Sequence, residues 1–343
     1  MKGSKSVPTI QDVAREAGVS PSTVSNVLNR RWRQTSKETR ERILEVAGRL
    51  NYQPNAMAAA LRRRSTRTIG VIVTSVLNPF YTAVVRGIQD EARRHGYTTI
   101  LGNTDDDPEQ EREMLNTLRA KQVDGILIVT TGGCHDTIQH VSDLGVPIVL
   151  VDRGDPALDI DTIGVDNVHA AGNAVSYLIG LGHKRIAIVS GLITGVPTRA
   201  HRLQGYLNAL AAAGLPAPEE YRQVLATSVE NGQLAASKLL DLPKPPTAIM
   251  AMNTFMSMGV IHEVHRRKLE MPRDLSFIMF DDPEWAWLHT PGITTVGQPI
   301  QEIGTRGFQL LEARIDKKKT GAREEVTLLT NLIVRGSCGP VGG

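Results

Sequence analysis

Apolar residues recur at helical spacing from Thr9 onward: Ile10, Val13, Ala14 and Ala17 stand at i, i+3, i+4 and i+7 and predict a short helix with Thr9 as its N-cap. Gly18 permits a left-handed turn, after which Val24, Val27 and Leu28 form a second stripe, with Ser20 as cap and Pro21 at the first helical position. A third stripe of Ile43, Leu44, Val46, Ala47 and Leu50 lies on a predicted helix from Lys37 to Asn51 that starts at Thr35 or Ser36. The three together read as a helix-turn-helix headpiece. Beyond Ser65 the pattern changes to near-continuous apolar runs separated by helical periods, the mark of parallel strands buried on both faces. Ile69–Val73, Thr98–Leu101, Gly125–Val129 and Pro147–Val151 form one set; Thr162–Val165, Arg185–Val189, Thr247–Met252 and Phe277–Phe280 form a second. Two doubly wound α/β lobes are expected, with any ligand at the carboxyl ends of the strands in the crevice between them. A last helix near Ile300–Ile315 and a final strand near Glu325–Arg335 are expected to return the chain across the hinge.

Charge separates head from body. Residues 1–68 hold 14 Lys and Arg against 5 Asp and Glu, a surplus of +9; the remainder holds 25 against 31, or −6, which recovers the overall +3. A basic head on an acidic body favours a polyanionic partner for the head, because neutralising phosphates releases condensed counterions. The second helix leaves Ser22, Thr23, Ser25, Asn26 and Asn29 outward. Short hydroxyls and amides of this kind fit a major groove and meet phosphates and base edges there; Asn26 can pair bidentately with an adenine. The 343 residues are 41% hydrophobic and 22% charged, an ordinary globular composition that allows two or three compact units. No apolar run approaches a membrane span, and the first residues lack the apolar stretch of an export signal, so a cytoplasmic location is expected. Cys134 and Cys338 stand far apart, without metal-site or disulfide spacing.

The segment Asn51-Tyr52-Gln53-Pro54-Asn55-Ala56-Met57-Ala58-Ala59-Ala60-Leu61-Arg62 then resembles the domain boundary of the LacI (lactose repressor) family, where Tyr-x-Pro-Asn precedes a short alanine-rich helix ending in Leu-Arg. Physics fits that role: Asn55 can cap about two turns, too short to persist alone because nucleation is costly. The resemblance implies that two such helices pair in the minor groove and that Leu61 wedges into a base step, with Ala58 small enough for close approach. Relatives often carry Arg-Ser where this chain has Ala59 and Ala60. The implied DNA-contacting set is Thr9, Ser20, Pro21, Ser22, Thr23, Ser25, Asn26, Asn29, Tyr52, Asn55, Ala58 and Leu61. The resemblance continues through Asn78-Pro79-Phe80-Tyr81, Val151-Asp152-Arg153, Arg202-Leu203-Gln204-Gly205-Tyr206, Asn253, Phe280-Asp281-Asp282 and the stretch Pro291–Pro299. It implies a sensor body of the type I periplasmic-binding-protein fold. Effector contacts fall on Phe80, Asp152, Arg153, Arg202, Asn253, Asp281 and Gln298: acids to accept from hydroxyls, arginine forks to donate, and a ring to cover an apolar face. Asp282 is expected to be a strand-end cap or ion-pair partner, and Gln298 either touches ligand or ties down the hinge. Two departures weigh against a flat purine ligand: Thr254 where relatives often have Asp, and Thr227 where they often have an aromatic.

The domain reading is therefore a headpiece at 1–52, a hinge helix and linker at 53–67, and a sensor and dimerisation body at 68–343, with lobes at about 68–155 and 160–290 and a crossover after 290. Catalytic signatures are poor. GxSxG, GxxxxGK[ST] and GxGxxG are absent; His262-Glu-Val-His265 lacks the HExxH spacing and reads as a helix surface. Gly132-Gly133-Cys134-His135 has no visible third group or oxyanion site and reads as a strand-to-helix loop. The expected function is a homodimeric repressor of transcription, not an enzyme, that binds a near-palindromic double-stranded DNA operator. A small metabolite such as a sugar or sugar derivative controls it, with no cofactor and no metal. The alternatives are control by a protein corepressor, or a sugar-processing enzyme.

Overall fold

Helix-terminal chemistry sets the first three elements. A computed structural model describes residues 8–28, 35–52, 65–317 and 321–341. Helix Ile10–Ala17 begins in a capping box: Asp12 N–H donates to the Thr9 hydroxyl oxygen, and Thr9 N–H donates to Asp12 Oδ2 at 2.9 Å. It ends at Gly18, whose φ of 63° lets the chain turn left-handed without a Cβ clash. Helix Pro21–Leu28 starts where Ser20 Oγ accepts from Thr23 N–H at 3.2 Å, and helix Lys37–Arg49 where Ser36 Oγ accepts from Thr39 N–H. Val13, Ala14, Ala17, Val24, Val27, Ile43, Val46 and Ala47 make their shared core. Leu44, expected inside, is 48% exposed. The i, i+3, i+4, i+7 stripe is already complete with Ile43, Val46, Ala47 and Leu50, and Leu44 lies about 100° round the helix from Ile43.

The chain divides into two compact units, Met1–Thr66 and Arg67–Gly343. The second contains two six-stranded sheets. Strands are β1 Thr68–Val73, β2 Thr98–Asn103, β3 Gly125–Ile128, β4 Ile148–Val151, β5 Asp161–Val165, β6 Ile186–Ser190, β7 Arg222–Val224, β8 Ala248–Ala251, β9 Ser276–Phe280, β10 Thr294–Gly297, β11 Glu325–Leu328 and β12 Asn331–Ile333. The first sheet runs β11-β5-β4-β3-β1-β2, all parallel; the second runs β12-β10-β9-β8-β6-β7 and is parallel except for β12 against β10. Each sheet has apolar clusters on both faces, so each lobe is doubly wound.

Three sequence expectations need correction. The run at 162–165, expected in the second lobe, is β5 and pairs with β4 through Val149–Asp161 and Val151–Ile163, inside the first sheet. Apolar pattern identifies a buried strand but not the sheet it joins, and the nine residues between β4 and β5 contain no helix to signal a same-sheet crossover. The single strand expected at 325–335 is two, β11 beside β5 and β12 beside β10, with the chain changing lobes at Leu329–Thr330. The short polar strand β7 and strand β10 were not anticipated as strands, since Arg222-Gln223-Val224 has no apolar run.

The chain thus passes between the lobes three times: after β5, after β10 at Gln298–Pro299, and between β11 and β12. Helix Ile300–Ile315 packs back on the first lobe against helix Pro79–Arg94. Gly87 and Gly304 set that crossing: a Cβ on Gly304 would lie 2.9 Å from the Gly87 backbone. No described helix is long and apolar enough to cross a membrane.

Candidate functional site

On the headpiece, Pro21, Ser22 and Asn26 are exposed along one side of the second helix, with Thr23 and Ser25 partly exposed beside them. Ser20 Oγ lies 2.7 Å from Ser22 Oγ and 2.8 Å from Thr23 Oγ1, so three hydroxyls form one polar cluster at the helix start. That is a surface suited to phosphate oxygens and base edges. Thr9 is exposed where it caps the first helix, and Tyr52 packs half-buried on the headpiece core. Asn29, Asn55, Ala58 and Leu61 lie outside the described residues.

In the second unit, the seven expected effector residues line one cleft between the lobes. The cleft is open to solvent at its mouth, and about 820 Å³ of space lies between its walls and that opening. Two strand ends build its floor. Asp152 directly follows β4 and Asp281 directly follows β9, both in left-handed backbone with φ of 63° and 71°. That conformation is strained for most residues but tolerated by Asp, and it turns each carboxylate off the strand axis into the crevice. Tyr81 donates to Asp152 Oδ2 at 3.3 Å; Gln298 and Thr254 donate to Asp281 at 2.7 and 3.3 Å. Burial pushes the pKa of both carboxyls up, against the pull of Arg202 on each and of Arg153 on Asp152.

The arginines are held from behind. Arg202, on helix Pro197–Ala212, donates to Asn167 Oδ1 at 2.7 Å and to the Met252 carbonyl at 2.5 Å, and its guanidinium lies 3.8 Å over the Phe280 ring. Arg153 donates to the Thr130 carbonyl and to Asp106 Oδ1 at 2.7 Å. Asn78 caps helix Pro79–Arg94 by accepting from Phe80 N–H, which fixes Phe80 in the wall, edge-on to Tyr81. Asn253 caps helix Thr254–Arg266 through its Oδ1, leaving its amide nitrogen toward the cleft.

Five buried side-chain atoms among these lining residues have no hydrogen-bond partner: Asp152 Oδ1, Arg153 Nε, Thr227 Oγ1, Asn253 Nδ2 and Gln298 Oε1. Leaving one such atom unpaired costs about 1–3 kcal/mol, so donors and acceptors converging on one space describe a place for a polar molecule. Sequence reasoning missed Tyr81, Asp106, Thr198, Arg199 and Phe255 as lining residues, while Thr227, marked as the position where relatives often have an aromatic, does line the cleft. Arg199 and Asp106 carried no signal, because each sits in a loop-proximal polar stretch and only the fold brings them within 3.3 Å across the lobes. Phe255 supplies a second aromatic wall where the absence of one at Thr227 suggested none. Asp282 is instead held by both terminal nitrogens of Arg335 and by Thr295, an ion-pair role. Cys134 donates to the Pro108 carbonyl, and burial pushes its thiol pKa up, which disfavours the nucleophilic thiolate.

Two family models match. Residues 9–55 match the bacterial regulatory proteins of the lacI family, and residues 66–331 match the periplasmic binding proteins and sugar binding domain of the LacI family. The chain is 37% identical over 310 residues to the catabolite control protein A of Priestia megaterium, covering 90% of this chain and 93% of that one. It is 34% identical to the transcriptional repressor CytR of Escherichia coli K12, over 98% of both. A LacI family transcriptional regulator from Enterococcus faecium, solved with bound ribose, is 28% identical and superposes with a TM-score of 0.71 over 80% of this chain and 99% of that one.

Proposed function

Because this chain belongs to the LacI family of DNA-binding transcription regulators, we propose that its interlobe cleft takes a monosaccharide or a polyhydroxy molecule of similar size. Occupancy of the cleft sets affinity for an operator. The observation that carries this reading is the set of five unpartnered polar atoms around one cleft, between the Phe80 and Phe255 walls. Asp152 Oδ1 and Gln298 Oε1 accept from hydroxyls, while Arg153 Nε and Asn253 Nδ2 donate to hydroxyl or ring oxygens. A sugar presents both kinds of group around a flat apolar face, which an aromatic wall can cover. The ribose bound by the Enterococcus faecium regulator is a ligand of that size and chemistry.

The protein acts as a cytoplasmic repressor, as a homodimer on a near-palindromic operator, and needs no cofactor. One second helix enters each half-site. By linkage, the effector and the operator change each other's affinity by the same factor. Calorimetry of the full chain against pentoses, hexoses, nucleosides and their phosphorylated forms tests the cleft. A ligand should bind with one site per chain, and Arg202→Ala should lose it by at least tenfold while a footprint on unliganded operator is retained. If no member of the panel binds, or if Arg202→Ala binds as well as the wild type, the cleft assignment fails.

A further inference from the structure

We propose that His265 and His289 form a two-imidazole site for a divalent transition-metal ion on the second lobe, apart from the effector cleft. His265 stands in the last turn of helix Thr254–Arg266, and His289 directly follows the short helix Glu284–Leu288. Their ring planes are near-parallel, at 6°, with centroids 5.0 Å apart, and their Nε2 atoms are 3.0 Å apart. A centroid separation 2 Å longer than the nitrogen separation means that the rings meet at their nitrogen edges, not face to face.

The proton positions follow from the neighbours. His289 Nδ1 lies 2.8 Å from the Pro291 carbonyl oxygen, which can only accept, so Nδ1 carries the hydrogen and Nε2 carries a lone pair. His265 Nε2–H donates to that lone pair. An ion takes the place of this one hydrogen: His265 moves its proton to Nδ1, and both Nε2 lone pairs face the metal. At metal–nitrogen distances of about 2.0–2.1 Å, two neighbouring ligand positions are roughly 2.9–3.4 Å apart, and the observed separation falls in that window. The Pro291 carbonyl then acts as the outer partner that fixes ring and tautomer, as metal-binding histidines ordinarily require.

Imidazole pairs suit Zn²⁺, Ni²⁺ and Cu²⁺. No group of three or more His, Cys, Asp or Glu side chains suited to a metal occurs among the described residues, so water completes the coordination. His265 is exposed and His289 partly so, which leaves the ion an approach path. The site stands independently of the effector reading.

Titration of the metal-free, tag-free full chain with Zn²⁺ and Ni²⁺ tests it. One ion per chain is expected, with affinity falling at least tenfold in His265→Gln and in His289→Gln. Spin-echo spectra of Cu²⁺ on the wild type should register two imidazole nitrogens, a readout that needs no variant to fold. The proposal is overturned if the wild type takes up no ion, if the double variant binds as tightly as the wild type, or if the copper spectra show fewer than two imidazoles.

Discussion

Asp152, at a strand end in the cleft lining, shows how a buried carboxyl opposes the stability of its own fold. Asp152 is 7% exposed and its pKa is raised by burial, so ionising it costs more in the folded chain than in the unfolded one. The sign follows directly: this group's stabilisation is complete below its unfolded value near 3.8 and disappears as pH rises through the higher folded value. At neutral pH the ligand-free protein therefore carries a cost at this residue. Asp152→Asn should raise the melting temperature of the ligand-free protein at pH 7 and yet weaken effector binding by tenfold or more; a lower melting temperature would contradict the cost. Glu263 has the opposite sign. It is fully buried, and hydrogen bonds from Arg266 first, then Arg267 and Gln233, hold its pKa down at about 2. Its contribution is present above its unfolded value near 4.5 and is lost as pH falls toward 2, so Glu263→Gln should flatten the acid limb of the stability curve between those values.

At the scale of elements, ends and crossings were written differently in the sequence. Thr9, Ser20, Ser36, Asn78 and Asn253 all accept from backbone N–H groups at helix starts; Thr9 and Ser20 were legible, and the third cap was narrowed to Thr35 or Ser36, because a cap needs only a few neighbouring residues. Thr9→Ala removes one such bond and should cost about 1 kcal/mol, read as roughly fivefold faster hydrogen exchange in the amides of Ile10–Ala17. A cap of no consequence would leave exchange unchanged. Crossings depend on a partner far along the chain. Helices Pro79–Arg94 and Ile300–Ile315 touch backbone to backbone at Gly87 and Gly304, and neither glycine announced this in its local sequence. Gly304→Val should destabilise the sensor body by roughly 1–3 kcal/mol, with Gly304→Ala milder, in denaturant melts; equal stability of all three would mean that the helices do not meet there.

In the sensor body the two lobes are joined by three chain crossings, and an ion pair between Asp106 and Arg199 also spans them. Asp106, on the first lobe, accepts from Arg153 on the same lobe and from Arg199 on the other, at 2.7 and 3.3 Å. Asp106 is 38% exposed along its side chain, so salt reaches and screens the bridge. Effector release from the wild type should therefore quicken a few-fold between low and high salt in stopped-flow measurements. Asp106→Asn should release faster at low salt and lose most of that salt dependence. A variant with wild-type salt response would place closure elsewhere, for example at the Gly132–Gly195 approach on the same rim, where a Cβ on Gly132 would meet the Gly195 carbonyl oxygen.

The sequence by itself determined the helix faces and caps of the headpiece, the basic head on an acidic body, most of the buried strands and, through the family resemblance, the seven residues that gather in the cleft. Each of these depends on interactions within a few residues, on total charge, or on short motifs that resemble the family's. Only the tertiary structure decided that β5 belongs to the first lobe, that the last strand is two, that Asp106 faces Arg199, and that His265 meets His289. Those facts are pairings between positions remote in the chain. A strand edge or a side chain offers its hydrogen bonds to whatever packing brings alongside, and local pattern carries no address for the partner.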